Sequence, residues 1–251
     1  MSGWVDTHCH LHMGAEPPEV LLDRAVAAGV EWLVCPGTDA ASSVAAREIA
    51  HAHPDRVLWT AGLHPHDAAR WPGERDRIAE LAVEAAAVGE CGLDFYRNLS
   101  PPDAQLEAFR DQLRLGVALA KPIVVHCRDA FAEVHDEIEA AGAAELAILH
   151  CWSGGPRWAR RFRDLGVTFS LAGPITFETG DTVRRGAAEA PPDRTMVETD
   201  TPYLTPPPNR RDPNEPANVV KVGEALAEVW GMDVAEVAAL TTTTATRVFG
   251  R

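Results

Sequence analysis

The chain has 251 residues, of which 46% are hydrophobic and 24% charged, an ordinary balance for a globular protein with room for one α/β barrel or two smaller domains. A formal net charge of −14 argues against broad electrostatic binding to duplex nucleic acid, which needs lysine and arginine to displace counterions; an enzyme acting at a strand end stays open, because bound divalent cations reverse the local charge. No apolar run approaches the roughly 18 residues of a membrane span and no basic-then-apolar leader opens the chain, so a cytoplasmic protein without membrane partners is expected.

Apolar, β-branched stretches alternate with amphipathic runs, the pattern of parallel strands joined by crossover helices. The first predicted strand, residues 3–8, runs into His8-Cys9-His10, where the two imidazoles share one face and Cys9 takes the other. A pair so offset can hold one metal ion, and hydrogen bonding within a polar core is the alternative. A helix over residues 17–28 stops at Gly29, and strands follow at 32–35 and 57–62. The fourth strand, 87–91, carries Glu90 near its end, a carboxylate in an apolar segment that needs a strong partner or a metal. The longest helix, 101–120, is opened by Pro101-Pro102-Asp103 and closed by Lys121-Pro122. The fifth strand, 122–126, ends on His126 with Arg128 two residues on; after a helix at 129–141, the sixth strand, 146–150, ends on His150. Strands at 167–171 and 195–198 complete a count of eight, the last leading into Glu198-Thr199-Asp200. Asp200 is placed over the metals, where a carboxylate binds an ion and takes a proton from an attacking water. Glu198, deeper on the same face, is expected to support the ligands. Two further helices, 214–230 and 233–249, follow, and the second exceeds what an eightfold repeat needs.

Polar residues converging from so many strand ends fit a closed barrel, whereas a doubly wound open sheet keeps its ligand at a switch point. No linker divides the chain, and Thr205-Pro206-Pro207-Pro208 falls where a barrel carries an active-site loop. The expectation is one domain over residues 1–251, a TIM (β/α)8 barrel whose extra C-terminal helix packs outside or closes one end. Five cysteines without CxxC spacing argue against a disulfide framework. Cys9, Cys91, Cys127 and Cys151, each beside a candidate site residue, are expected to face the covering helices as apolar packing. His51, His53 and His135 read as solvated surface groups.

His-x-His, Glu, His, His and Asp, in that order at strand ends, resemble the TatD family of metal-dependent hydrolases, a branch of the amidohydrolase-type barrels. The resemblance covers nearly the whole length. It rests on Asp6-Thr7-His8-Cys9-His10-Leu11, Gly62-Leu63-His64-Pro65-His66, and Gly89-Glu90-Cys91-Gly92-Leu93-Asp94-Phe95, on Gln105 with Phe109 and Gln112, and on residues 122–128. It continues through His150-Cys151-Trp152-Ser153-Gly154, Glu198-Thr199-Asp200-Thr201-Pro202 and Asn214-Glu215-Pro216. What it implies is a two-metal centre in which His8, His10, Glu90 and Asp200 hold one ion and Glu90, His126 and His150 the other. Glu90 would bridge and Asp200 would act as base, with His64, His66 and Arg128 facing phosphate. The implied activity is that of a Mg²⁺- or Mn²⁺-dependent deoxyribonuclease, often working from the 3′ end on single-stranded DNA, without an obligate protein partner. In related barrels the bridge is a carboxylated lysine, but neither lysine of this chain, Lys121 or Lys221, lies at the end of strand four.

Mixed imidazole and carboxylate ligands also suit Zn²⁺. Departures from the family pattern fall at Arg210-Arg211-Asp212-Pro213, at His12 and at Thr244, none of them an expected ligand. Tyr203 and Phe95, flanking the expected mouth, carry rings that stack on a base, with packing as their alternative use. Two other readings compete with the nuclease. One keeps the metals but hydrolyses an amide, ester or lactone, a choice that a fold alone cannot make. The other is a noncatalytic metal-binding scaffold, opposed by the completeness of the ligand set together with Asp200.

Overall fold

The structure, a computed structural model, describes residues 3–251. Eight parallel strands stand in chain order: β1 (Trp4–Asp6), β2 (Val30–Cys35), β3 (Val57–Ala61), β4 (Ala87–Asp94), β5 (Ile123–Arg128), β6 (Ala147–Leu149), β7 (Thr168–Leu171) and β8 (Thr195–Val197). The first and last strands close the ring. Thr7 N–H donates to Val197 O at 3.1 Å, Asp200 N–H to His8 O at 2.9 Å, and His10 N–H to Thr201 O at 2.9 Å. Asp6, fully buried, braces the same seam by accepting from Thr199 N–H at 2.9 Å and Thr199 Oγ1 at 2.6 Å. The expected barrel is the architecture, since closure leaves no strand edge open.

Around it run α1 (Pro18–Ala27), α2 (Ala40–Ala52), α3 (Trp71–Glu84), α4 (Pro102–Leu119), α5 (Phe131–Ala141), α6 (Pro156–Leu165), α7 (Asp181–Ala187), α8 (Val219–Trp230) and α9 (Val234–Phe249). Inward-facing Val5, Trp32, Val34, Ala87, Val124, Ile148 and Met196 form one apolar layer inside the ring. Helix α9 seals that layer with Ala245, Val248 and Phe249, whose ring meets Trp32 edge-on with centroids 6.1 Å apart. The extra helix thus closes one end, and the polar groups gather at the other.

Two boundaries differ from expectation in ways that bear on the site. Helix α8 begins at Val219 because Pro216–Asn218 forms a separate 3-10 turn, in which the proline lacks the N–H that an earlier start would use. Strand β4 runs to Asp94, three residues beyond its expected end: after a register irregularity between Val88 and Cys91, pairing with β5 resumes from Cys91↔Val125 to Asp94↔Arg128. Gly92 allows this. It sits at φ +136, and a Cβ there would lie 2.0 Å from the His126 carbonyl oxygen. Gly92→Ala is therefore expected to lose about 1–3 kcal/mol from backbone conformation alone, lowering Tm by about 2–4 °C per kcal/mol in a domain of this size, with the carbonyl clash adding to it. Gly142→Ala, at φ +64 with nothing within 4 Å, gives the smaller cost of an ordinary left-handed position in the same thermal melt. Equal losses in the two variants would deny the clash.

Candidate metal centre

The apolar layer hands over to polar groups by strand alternation alone. His126 lies two residues past Val124, His150 two past Ile148 and Glu198 two past Met196, each on the same inward face. His126 and His150, with side chains from the segments after β1 and β3, from β4 and from the loop after β8, line the floor and walls of an open cavity of about 610 Å³, and Glu198 lies fully buried beneath them.

Glu90 is at its centre and 2% exposed. Its Oε2 is 3.3 Å from His8 Nε2 and 3.7 Å from His10 Nε2. Its Oε1 is 3.0 Å from His150 Nε2, 3.1 Å from His126 Nδ1 and 3.2 Å from His64 Nε2. Asp200 Oδ1 joins the first group, 3.8 Å from His8 Nε2 and 3.6 Å from His10 Nε2. All six expected ligands are brought together, as two donor sets on either side of one carboxylate.

The spacing fits metal ligation. Atoms sharing one cation at about 2.1 Å in tetrahedral or octahedral array stand about 3.0–3.4 Å apart, and His8 Nε2 and His10 Nε2 are 3.2 Å apart. The buried Nδ1 atoms of both rings have no hydrogen-bond partner among the described residues, so the Nε2 atoms carry the polar contacts these rings make. Asp200 is held at φ +59 by its N–H bond to His8 O and by accepting from Tyr203 N–H at 2.8 Å. A left-handed aspartate is an uncommon conformation that aims this carboxylate back over the cavity.

Neighbouring carboxylates fix the tautomers of the second set. Glu198 Oε1 accepts from His150 Nδ1 at 3.2 Å, and Asp94 Oδ2 from His126 Nε2 at 3.2 Å, so that in the neutral rings His150 Nε2 and His126 Nδ1 are the nitrogens left with lone pairs. Glu198 contacts an expected ligand, His150; Asp94 was missed. Its signal was present, since a carboxylate four residues past Glu90 in a wholly buried strand needs a partner. Asp94 also meets His66 Nε2 at 2.9 Å, so that imidazole is engaged with a carboxylate. His64 differs from the expected ligands: its Nδ1 accepts from His66 N–H at 3.1 Å, so its Nε2 carries the proton and donates to Glu90 Oε1 at 3.2 Å. Burial pulls the His64 pKa down to about 4, which keeps the ring neutral.

Charge in the centre is strongly coupled. Burial alone would raise the Glu90 pKa, but His150, His64 and His8 around it hold the carboxyl well below its ordinary range. Burial opposes charge on His150 as well, yet Glu90 and Glu198 lift its pKa well above the ordinary value. His126 is raised in the same way by Asp94 and Glu90.

The family profile described as TatD related DNase matches residues 5–250. The chain belongs to the TatD family. A relative named "Uncharacterized metal-dependent hydrolase YabD", from Bacillus subtilis, is 36% identical over 250 residues, covering 97% of this chain and 98% of the relative. One from Pectobacterium parmentieri, named "3'-5' ssDNA/RNA exonuclease TatD", is 36% identical over 242 residues and covers 92% of each chain. The crystal structure of the TatD homologue YJJV of Escherichia coli K12 superposes with a TM-score of 0.88 at 25% identity, over 99% of this chain and 98% of that one. This TatD protein is accordingly a metal-dependent hydrolase acting on ester bonds. Among its described residues no helix is long and apolar enough to cross a membrane.

Several expectations about side chains need correcting. His135 is buried, 5.4 Å between centroids from Phe162, because α5 turns it inward under α6. Cys9 and Cys91 pack in the apolar clusters as expected, Cys127 packs there while also reaching the cavity, and Cys151, at φ +45 beyond the strand, lines the cavity. Phe95 packs on the core; its neighbour Tyr96 is the exposed ring, with the Arg128 guanidinium 4.2 Å from its centroid. Gln105 and Gln112 brace the site from α4, the first accepting from Asp94 N–H at 2.9 Å and the second from Leu63 N–H at 2.8 Å. Asn214 ties down the loop after β8, donating to Thr199 O at 2.9 Å and Tyr203 O at 2.7 Å.

Proposed function

We propose that this TatD protein removes nucleotides from the 3′ ends of single-stranded DNA in the cytoplasm, with the whole chain, residues 1–251, acting as one domain. The observation that carries the reading is Glu90, whose two oxygens face separate donor sets: His8, His10 and Asp200 on one side, His126 and His150 on the other. Relatives named as single-stranded DNA and RNA exonucleases support the substrate class.

Two divalent cations held by these sets, Mg²⁺ or Mn²⁺ with Zn²⁺ also compatible, would acidify the attacking water and neutralise the phosphate. The chain's own groups do the rest. Asp200, partly open to the cavity, accepts the proton of the attacking water. His64 Nε2–H, 3.2 Å from Glu90 Oε1, would turn to a phosphate oxygen when cations engage Glu90, and Arg128 at the rim offers a planar pair of donors to another. His66, held by Asp94, stands beside them on the same wall. Glu198 and Asp94 keep the His150 and His126 lone pairs turned inward throughout.

The test is end-labelled single-stranded DNA incubated with metal-stripped protein refilled with Mg²⁺, Mn²⁺ or Zn²⁺. Stepwise shortening from the 3′ end that requires the cation is expected. Arg128→Ala is expected to lose about 1.5–3 kcal/mol of phosphate interaction, a 10- to 150-fold fall in kcat/KM, while hydrolysis of an uncharged carboxylic ester should not follow it. Cation binding without shortening of any oligonucleotide would remove the nucleic acid from the reading.

A further inference from the structure

The rim of the cavity concentrates exposed apolar surface in a way the metal centre does not require. Met13, Tyr96, Leu99 and Tyr203 are 43%, 63%, 64% and 50% exposed, and these are four of the nine large hydrophobic side chains that stand out from the surface among the described residues. The chain has only two tyrosines, and both are here. They stand on different sides of the centre. Tyr203, on the loop after β8, meets the His10 ring edge-on with centroids 6.3 Å apart, beside the set that contains Asp200. Tyr96, on the segment after β4, carries the Arg128 guanidinium on its face, beside the set that contains His126. Met13 and Leu99 line the cavity next to them, and Arg97 adds a second cation on the Tyr96 side.

A phosphodiester is chemically the same in single and double strands, so the metal centre alone does not distinguish them. Exposed rings flanking a phosphate site do, because every unpaired base has a free face to stack and a base inside a duplex has none. Resting on the nuclease reading above, we propose that Tyr96 and Tyr203 are two base platforms. Each stacks one of the unpaired bases on either side of the scissile phosphate, and together they set the preference for single strands. Tyr96 is pre-ordered for this by Arg128, which stiffens the ring while keeping guanidinium donors at the rim. Tyr203 is ordered through its backbone, which is fixed to Asp200 and Asn214.

The experiment is a cycle between side chain and base. Single-stranded oligonucleotides carrying all bases, or lacking the base at the last or the next-to-last position, are cut by wild type, Tyr96→Ala, Tyr203→Ala and the two Tyr→Phe variants. Loss of a stacked base is expected to lower wild-type kcat/KM roughly 5- to 100-fold. Each Tyr→Ala variant is expected to show no further loss at one of the two positions and the full loss at the other, and each Tyr→Phe variant to behave as wild type. Equal cutting of base-bearing and abasic strands by wild type would overturn the platforms and leave the nuclease standing. So would additive losses in the Tyr→Ala variants at both positions. No cutting of either strand with any cation would instead overturn the nuclease reading on which the platforms rest.

Discussion

Glu90→Ala is expected to abolish hydrolysis and to change how many cations the protein binds. Glu90 is the carboxylate that reaches both donor sets, and its removal leaves His8, His10 and Asp200 on one side and His126 with His150 on the other joined only by the His8–His150 ring stack at 3.9 Å. Two imidazoles alone hold a hard divalent ion poorly, so the second set should empty while the first binds weakly. Losing the activated water and the charge on phosphate together removes at least about 5–6 kcal/mol of transition-state stabilisation, a fall on the order of 10⁴-fold or more. Because Glu90 is buried among five imidazoles, Glu90→Gln is the companion variant: it keeps the volume but offers one oxygen instead of two. Elemental analysis after dialysis should give fewer than two ions per chain for both variants, beside near-wild-type far-ultraviolet circular dichroism. Two ions per chain in Glu90→Ala, or activity within tenfold of wild type in Glu90→Gln, would remove the bridge from the mechanism.

The barrel and the polar side chains gathered at its mouth were legible in the sequence for one reason, and the rim was illegible for the converse one. A strand end inside a barrel is a buried position with a two-residue repeat, so Val124 and His126, or Ile148 and His150, announce their common face and the abrupt change of polarity along it. Glu90 announces itself similarly within apolar β4. Gly92 hid the extension of that strand to Asp94, because the register irregularity depends on how close β5 approaches, a property of the pair and not of either strand. Asp94 therefore passed as a motif residue when it is the group that fixes His126. The loops after the strands have no period. Whether Phe95 or Tyr96 stands exposed beside the cavity depends on the turn after β4, and on Arg128 lying over one ring and not the other. His135 fell to the same limit from the opposite side, since an amphipathic helix with one polar residue at the edge of its buried face reads as exposed until α6 is packed over it.

Asp200→Asn is expected to lower kcat by about 10²–10⁴-fold, the usual worth of a positioned general base, with KM little changed. The substitution keeps an oxygen for the first donor set and removes the proton acceptor, so the loss in kcat should exceed any loss of bound cation. The pH profile separates the two roles. Burial tends to raise the Asp200 pKa, but His10, His8 and His150 hold it below its ordinary 3.8, and the carboxylate is ionised through the whole neutral range. The acid limb of wild-type activity is therefore set by imidazoles. In the metal-free site His126 and His150 are held protonated above their ordinary 6.5 by Glu90, Asp94 and Glu198, against the opposing effect of burial. An imidazole must be neutral to ligate, so a proton competes with the cation and loading falls as pH drops through these raised values. Raising the cation concentration should move the acid limb to lower pH by mass action, in wild type and Asp200→Asn alike. The variant should keep that shifting limb at a uniformly depressed plateau. An acid limb that stays fixed as cation concentration rises would assign it to a group other than the ligands, and a plateau at wild-type height would move the base from Asp200 to another residue.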